Sequence, residues 1–259
     1  MKFIRSRDNP QFKLLSKVAS SSRERRQTGM ALLDGEKLIS AYRDTGQAAC
    51  ILAIGETAYA EPEQRRLFEA VSADIRLLIA DQLLKVVSQV VTTAGLIAAI
   101  KIPKPPSWPE NPGNCLLLEG IQDPGNLGAI LRTAAAAGIN HIALSRGSAS
   151  AWGPKVLRAG MGAHFQLQIH ENADLLAIAL GFQGKIIATQ PRAEKTLYSA
   201  DLSGSVAWLF GNEGAGLSAA VVQYATEHLR IPMPGFAESL NVTGAVAVCL
   251  FEQLRQING

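Results

Sequence analysis

The chain has 259 residues, 47% of them hydrophobic and 18% charged, and a formal net charge of +3. This composition is typical of a globular protein with one large or two ordinary domains, and it excludes a mainly disordered chain. The longest apolar runs fall far short of the roughly 18 residues that a membrane span requires, and the first residues lack the apolar core of a signal peptide, so we expect a cytoplasmic protein.

The cysteines and histidines are scattered along the chain. Cys50, Cys115 and Cys249 are single and widely spaced, which favours reduced core thiols over disulfides or a zinc site. The four histidines are equally dispersed. The sequence therefore predicts no metal site.

Basic residues are concentrated at the beginning of the chain. Residues 1–26 hold eight basic and two acidic side chains. Such a cluster is suited to the phosphate backbone of a nucleic acid, to which it adds affinity without reading sequence. On charge alone, a solvated helix face is an equal alternative.

The first hundred residues alternate short helical and strand-like patterns. A helical pattern over 9–22 leads into a polar run, which is followed by a strand over 29–33 and a helix over 35–42. The later predicted elements are strands over 50–54, 75–79 and 96–101 and helices over 62–71 and 81–87. These patterns indicate an α/β domain over residues 1–102.

Residues 103–113 contain five prolines, and we interpret them as a linker between two domains. In residues 114–259, apolar runs of strand length alternate with helices, which predicts a mainly parallel sheet with helices on both faces. The predicted strands are 115–119, 141–144, 165–169, 185–189, 206–210 and 228–231, and the predicted helices are 127–137, 154–159, 173–180, 217–224 and 240–256. Gly125 and Gly128 do not have the spacing of a dinucleotide-binding fingerprint, which argues against a Rossmann oxidoreductase.

Three segments of the second domain have unusual glycine, asparagine and proline patterns. Residues 122–138 read QDPGNLGAILRTAAAAG, residues 209–218 read LFGNEGAGLS, and residues 231–254 read IPMPGFAESLNVTGAVAVCLFEQL. Pro232 and Pro234 make the backbone irregular just before an apolar helix. Irregular backbone at the end of an element is where binding sites are commonly built.

Several residues in these segments are positioned to bind a ligand. Arg132 lies outside the apolar stripe of its helix and four residues after Gly128, so a phosphate or ribose can approach it closely; a solvated arginine is the alternative. The glycines around Glu213 allow a tight turn with exposed backbone groups. Ser239 and Asn241 flank the start of the last helix, either at a ligand site or as an N-cap and a first-turn residue.

Together and in this order, the three segments resemble the signature motifs of the SpoU/TrmH family of RNA 2′-O-ribose methyltransferases. The resemblance extends from Cys115 to the C-terminus. It implies an enzyme that uses S-adenosylmethionine, without a metal, to methylate the ribose 2′-OH of a nucleotide in RNA. The added N-terminal domain favours 23S ribosomal RNA over transfer RNA, and a non-catalytic RNA-binding protein that retains the fold is a further alternative.

The resemblance also implies a deep trefoil knot in the sheet, a homodimer formed through the C-terminal domain, and roles for individual residues. The expected catalytic residues are Asn126, Arg132, Glu213, Ser239 and Asn241. The expected cofactor contacts are Thr189, Leu209, Gly211, Ile231 and Leu240, and the expected RNA contacts are Lys155 and Arg158. Because the pKa of a guanidinium exceeds ~12, we expect Arg132 to orient the ribose or hold its phosphate rather than to accept a proton.

The N-terminal domain is less specifically similar to the ribosomal-protein-L30e-like substrate-binding domain that many members of this family carry. The similarity rests on residues 34–39, which read DGEKLI, and residues 95–99, which read GLIAA. It implies that residues 1–102 bind the RNA substrate.

Overall fold

The computed structural model describes residues 1–88 and 95–259, which form two compact units. The units consist of Met1–Lys104 with Trp152–Phe165, and of Pro105–Ala151 with Gln166–Gly259. Within the described part of the chain, no helix is long and apolar enough to cross a membrane. The same residues contain no group of three or more His, Cys, Asp or Glu side chains arranged to hold a metal ion.

The described residues of the first unit form a five-stranded mixed sheet in the spatial order β1-β4-β3-β5-β2. The strands are β1 (Lys2–Ile4), β2 (Met30–Asp34), β3 (Ala49–Gly55), β4 (Ala73–Ile79) and β5 (Leu96–Lys101). Strands β1, β4 and β3 run parallel, whereas β5 is antiparallel to both β3 and β2. The helices before β5 are α1 (Pro10–Ser20), α2 (Ser22–Thr28), α3 (Glu36–Arg43), α4 (Glu56–Ala60), α5 (Pro62–Ala70) and α6 (Asp81–Val87).

Helix α1 supplies much of the core of this unit. The Asn9 side chain begins the helix by accepting the backbone N–H of Gln11 at 2.9 Å. Four apolar residues then recur at helical spacing on one face and pack into a cluster with residues of the sheet. They are Phe12, Leu15, Val18 and Ala19.

The polar run after α1, for which the sequence predicted no element, forms helix α2. Ser21 caps it by accepting the backbone N–H of Glu24 at 3.2 Å. Arg25 of α2 reaches back to the carbonyls of Val18 and Ala19 at the end of α1, at 3.0 and 3.3 Å. Side-chain contacts to the preceding helix therefore hold a segment in which no residue is buried.

The elements after residue 113 begin with β6 (Cys115–Leu118). The further strands are β7 (His141–Leu144), β8 (Gln168–Glu171), β9 (Lys185–Thr189), β10 (Lys195–Thr196), β11 (Val206–Phe210) and β12 (Glu227–Arg230). The helices are α7 (Pro124–Ala136), α8 (Pro154–Gly160), α9 (Leu175–Gly181), α10 (Ala219–Val222) and α11 (Val242–Asn258). The predicted strand over 165–169 is wrong in its first half, because residues 163–166 form a 3₁₀ turn. The predicted helix over 217–224 is reduced to α10.

Seven strands form the sheet of the second unit in the part of the chain that the structure describes, in the order β10-β12-β9-β11-β6-β7-β8. Every neighbouring pair is parallel. This confirms the predicted mainly parallel α/β fold. The predicted trefoil knot stays a prediction.

Helices cover both faces of this sheet. Because alternate residues of a strand point to opposite faces, neighbouring residues of β11 contact different helices. On β11, Leu209 packs in a cluster that includes Leu175 of α9. The preceding residue, Trp208, points the other way and donates its indole N–H to Gln253 of α11 at 2.7 Å. Helices α9 and α11 therefore lie on opposite sides of β11.

The segment Trp152–Phe165 packs within the first unit although it follows β7 in chain order. Its helix α8 contacts β2, and the ring centroids of Phe165 and Tyr42 lie 5.3 Å apart. Gly162 has a φ of +93°, and a Cβ there would lie 2.6 Å from the Cβ of Ala41. The two units are therefore not two consecutive stretches of chain, and the functional division at residues 103–113 stays a prediction.

Candidate functional site

A tight glycine-rich loop follows β11. Asn212 and Gly216 exchange backbone hydrogen bonds of 3.0 and 2.9 Å, and the Asn212 Oδ1 accepts the N–H groups of Gly214 and Ala215, each at 2.9 Å. Gly211 lies against the other end of the loop, where a Cβ would overlap the carbonyl group of Gly216. Gly216 itself has a φ of +71°, a conformation that favours glycine. The spacing of these glycines is thus required for the loop to close.

A cavity of about 620 Å³ opens beside this loop. Its walls come from residues 189–191, residues 210–217, and residues between 229 and 245. These segments follow the carboxyl ends of β9, β11 and β12, which lie side by side in the parallel sheet. That edge is where open α/β sheets commonly bind ligands.

Most of the predicted cofactor contacts meet at this cavity. Thr189, Gly211, Ile231 and Leu240 line it. Leu209 does not, because its side chain is fully buried in the core beneath. The carbonyl of Leu209 accepts the hydroxyl of Thr189, a residue of the cavity wall, at 3.4 Å. A role of Leu209 in cofactor binding stays a prediction.

Three of the predicted catalytic residues, from distant parts of the chain, form one hydrogen-bonded chain. The Asn126 amide donates to the Glu213 Oε1 at 2.8 Å, and the Asn241 amide donates to the Asn126 Oδ1 at 3.2 Å. Asp123 accepts the backbone N–H of Asn126 at 2.8 Å and thereby caps α7. Both ends of the Asn126 amide group are engaged, which fixes the orientation of this side chain.

Asn241, rather than Ser239, caps α11. The Asn241 Oδ1 accepts the backbone N–H of Thr243 at 2.9 Å and its hydroxyl at 2.6 Å. The alternative in which Ser239 is the N-cap and Asn241 a first-turn residue is therefore wrong. Ser239 is exposed and lines the cavity two residues before the cap, so both residues face the site.

Arg132 lies outside both the hydrogen-bonded chain and the cavity lining. It is exposed on α7, six residues after Asn126, which corresponds to about 9 Å along the helix axis. As predicted, it is not part of the buried stripe of this helix, which contains Leu127, Ile130, Leu131 and Ala134. Among the described residues, its side chain has no hydrogen-bond or ion-pair partner.

The two predicted RNA contacts belong to the first unit. Lys155 is exposed in the first turn of α8, and Arg158 is half-buried in its last turn. Both therefore lie on the same short helix, three residues apart, which places them on neighbouring positions of one helix face.

Sequence reasoning missed Glu238, Gln190, Pro191 and Met233, which also line the cavity. The proline-broken loop before α11 was a signal for Met233 and Glu238, but no local pattern identified which of its side chains face inward.

Glu238 and Glu213 are both carboxylates, and the lining residues of this cavity include no Lys, Arg or His. The cavity is therefore suited to a cationic or neutral ligand rather than to a polyphosphate.

Comparison with known proteins finds a family match in the same region of the chain. The model of the SpoU rRNA Methylase family matches residues 113–251, more than half of the chain. The chain is also 34% identical to an uncharacterized tRNA/rRNA methyltransferase of Synechocystis, over 98% of this chain and 93% of that protein. It is 31% identical to the 23S rRNA (guanosine(2553)-2′-O)-methyltransferase RlmP of Bacillus subtilis, over 97% of this chain and 98% of that protein.

The fold has a similar counterpart among solved structures. The AdoMet-bound rRNA methyltransferase from Sinorhizobium meliloti is 25% identical, with a TM-score of 0.85 over 99% of this chain and 98% of that one. The similarities to the family and to full-length relatives confirm the family that the three sequence motifs predicted. This chain belongs to the SpoU rRNA methylase family.

Proposed function

We propose that this chain transfers a methyl group from S-adenosylmethionine to the ribose 2′-OH of a nucleotide in 23S ribosomal RNA. The observation that carries the proposal is the hydrogen-bonded chain of Glu213, Asn126 and Asn241 beside the cavity. Membership of the SpoU rRNA methylase family supports the reaction. The name of the Bacillus subtilis relative, which covers nearly the whole chain, supports a 23S rRNA substrate.

The cavity fits S-adenosylmethionine in size and charge. Its volume of about 620 Å³ lies within the usual range for small-molecule sites. Glu213 and Glu238 suit the positive charges of a sulfonium and an ammonium group, and the solved Sinorhizobium relative is described as AdoMet-bound. Thr189, Gly211, Ile231 and Leu240 would hold the cofactor, in keeping with the roles that the resemblance implied.

When bound, the cofactor supplies a methyl group that its sulfonium already activates, so the protein must chiefly place the ribose oxygen and ease the departure of its proton. The fixed amide of Asn126 and the hydroxyl of Ser239, which lines the cavity, are suited to placing the ribose. Glu213 is the ionisable member of the hydrogen-bonded chain. Its carboxylate, or a water molecule, would accept the proton of the ribose 2′-OH. Arg132 would orient the ribose or hold its phosphate.

The first unit would bind the RNA. Its exposed basic residues Arg5, Arg7 and Arg23 have no ion-pair partner among the described residues, which leaves them available to phosphates. Lys155 and Arg158 lie in the same unit. We therefore propose that residues 1–102 are an L30e-like, RNA-binding domain, which the linker at 103–113 joins to the methyltransferase domain. A ribosomal RNA substrate would place the reaction in the cytoplasm.

The function is tested by methyl transfer with purified protein, labelled S-adenosylmethionine, and either 23S rRNA or total tRNA. We expect label at a single ribose 2′ position of 23S rRNA. Incorporation into tRNA alone would contradict the ribosomal substrate. RNA binding without any cofactor binding would instead identify a non-catalytic RNA-binding protein and overturn the proposed reaction.

We further propose a homodimer formed through the second unit. Val246 and Leu250 of α11 are buried in the unit and belong to its core. Exposed apolar side chains remain on and before this helix for a partner to cover. They are Phe236, Leu240, Phe251 and Ile257. Such a dimer would allow Arg132 of one chain to serve the cavity of the other.

Sedimentation at micromolar concentration is expected to give a dimer. Because the proposed site is shared, Phe251→Glu on the exposed face of α11 should yield monomers with greatly reduced transfer. The buried Leu250 is not suited to this test, because its replacement would unfold the core. A wild-type monomer with full activity would contradict the dimer.

Gly211→Ala is expected to weaken binding of S-adenosylmethionine by at least about tenfold, because the added Cβ overlaps Gly216 and the loop must move to accommodate it. Isothermal titration measures the affinity. Gly181→Ala is a matched control in the same unit, since a Cβ at Gly181 meets no atom within 4 Å. Equal affinity of the two variants would show that the loop does not form the cofactor site.

Arg132→Lys and Arg132→Ala are expected to change stability by less than about 0.5 kcal/mol, because Arg132 is exposed. Single-turnover methyl transfer should fall at least about tenfold in both, since lysine keeps the charge but lacks the planar fork. Cofactor affinity should remain that of the wild type. Wild-type turnover in Arg132→Lys would identify Arg132 as a solvated helix residue.

Asn241→Ala provides the contrast. It removes both the cap of α11 and the bond to Asn126, so cofactor affinity and turnover should decrease together. The loss of the cap alone is expected to cost about 1 kcal/mol of stability.

A further inference from the structure

We infer that Glu119 is a positioning residue that holds the loop between Gly211 and Ser218 in the conformation that binds the cofactor. This inference rests on the proposed function, because it assigns a role in cofactor binding to a residue that does not line the cavity. Glu119 follows the last residue of β6 and is half-buried.

Glu119 contacts both ends of the loop. Its backbone N–H donates to the carbonyl of Phe210 at 2.9 Å, directly before the loop begins. Its carboxylate binds Ser218, where the loop ends: Oε2 accepts the backbone N–H and Oε1 accepts the hydroxyl, each at 2.7 Å. A single residue directly after the neighbouring strand therefore fixes the distance between the two ends of the loop.

The same segment binds the loop at two further points. The Asn212 amide donates to the carbonyl of Gly120 at 2.8 Å, and the Asn126 amide donates to Glu213 at 2.8 Å. With the bond from Glu119 to Ser218, residues 119–126 and 212–218 are joined at three places. The segment that carries the substrate-side asparagine is thus connected directly to the wall of the cofactor cavity.

This arrangement predicts an effect on binding more than on chemistry. If the bond to Ser218 is weakened, a smaller fraction of the molecules has the loop closed in the conformation that binds the cofactor. The apparent Kd for the cofactor rises in inverse proportion to that fraction. Once the cofactor is bound at saturation, the loop is closed again and Asn126 keeps its own bond to Glu213. The KM for S-adenosylmethionine should therefore rise while kcat changes little.

The test compares Glu119→Gln and Ser218→Ala with the wild type. Glutamine replaces the carboxylate with a neutral amide, so the two charge-assisted bonds to Ser218 become weaker neutral ones. We expect about a tenfold rise in both the Kd and the KM for S-adenosylmethionine, with kcat within about twofold. Ser218→Ala keeps the backbone bond and should give a smaller rise, of about threefold. The double variant should raise the Kd by less than the product of the two single effects, because both changes act on one contact.

Asp174→Asn is the matched control. Asp174 likewise accepts two hydrogen bonds, here from the backbone N–H groups of Leu176 and Ala177 at 3.1 Å each, but it caps α9 and does not line the cavity. Its variant is expected to lower the Tm without changing the KM. A rise in the KM of Glu119→Gln that Asp174→Asn reproduces would overturn the inference, because it would follow from lost stability alone.

Wild-type affinity and KM in Glu119→Gln would also overturn the inference. If that variant does not fold, Ser218→Ala decides alone, and an unchanged Kd in that variant refutes the role of the contact. Cofactor binding by the wild type distinguishes failure of this inference from failure of the proposed function. Failure of the wild type to bind S-adenosylmethionine overturns the proposed function, whereas binding by the wild type with unaltered variants overturns only the role of Glu119.

Discussion

The parallel pairing of β6 with β11 is the contact on which the candidate site depends. In its register Leu118 lies beside Phe210, so the chain leaves both strands at the same edge of the sheet and at the same level. The segment leading to Asn126 and the loop containing Glu213 then continue side by side. A shift of this register would separate the two side chains, because each residue advances a strand by about 3.3 Å.

A buried polar network between α11, β11 and the residue before β6 stabilises this pairing. Gln253 of α11 accepts the indole N–H of Trp208 at 2.7 Å and donates to the Asn114 Oδ1 at 3.0 Å, and the same oxygen accepts the backbone N–H of Val206 at 3.0 Å. These groups are satisfied by one another, which matters because an unpaired polar group in a core is costly. The network fixes α11 against β11, and Asn241 is the cap of α11. The position of the cap in the site is therefore linked to hydrogen bonds made in the core.

The local pattern of the sequence determined much of the second unit. The predicted bounds of β7, β9 and β11 agree with the structure, since short apolar runs between polar segments suffice to define buried strands. Helical periodicity likewise placed Arg132 outside the buried stripe of α7. The glycine and asparagine spacing of the three motifs indicated a site, because tight turns and close backbone approach require those residue types.

Tertiary structure alone decided which of these residues meet. Asn126 binds Glu213 and Asn241 across separations of 87 and 115 residues, and Glu119 binds Ser218 across 99, none of which a local period can report. Trp152–Phe165 joins the first unit for the same reason, since its partners, such as Tyr42, precede it by more than a hundred residues. The sequence by itself determined most of the elements and the residue types of the site, because propensity and periodicity act over a few neighbouring residues. Their arrangement depended on strand register and on hydrogen bonds between distant segments, which form only when the sheet is assembled.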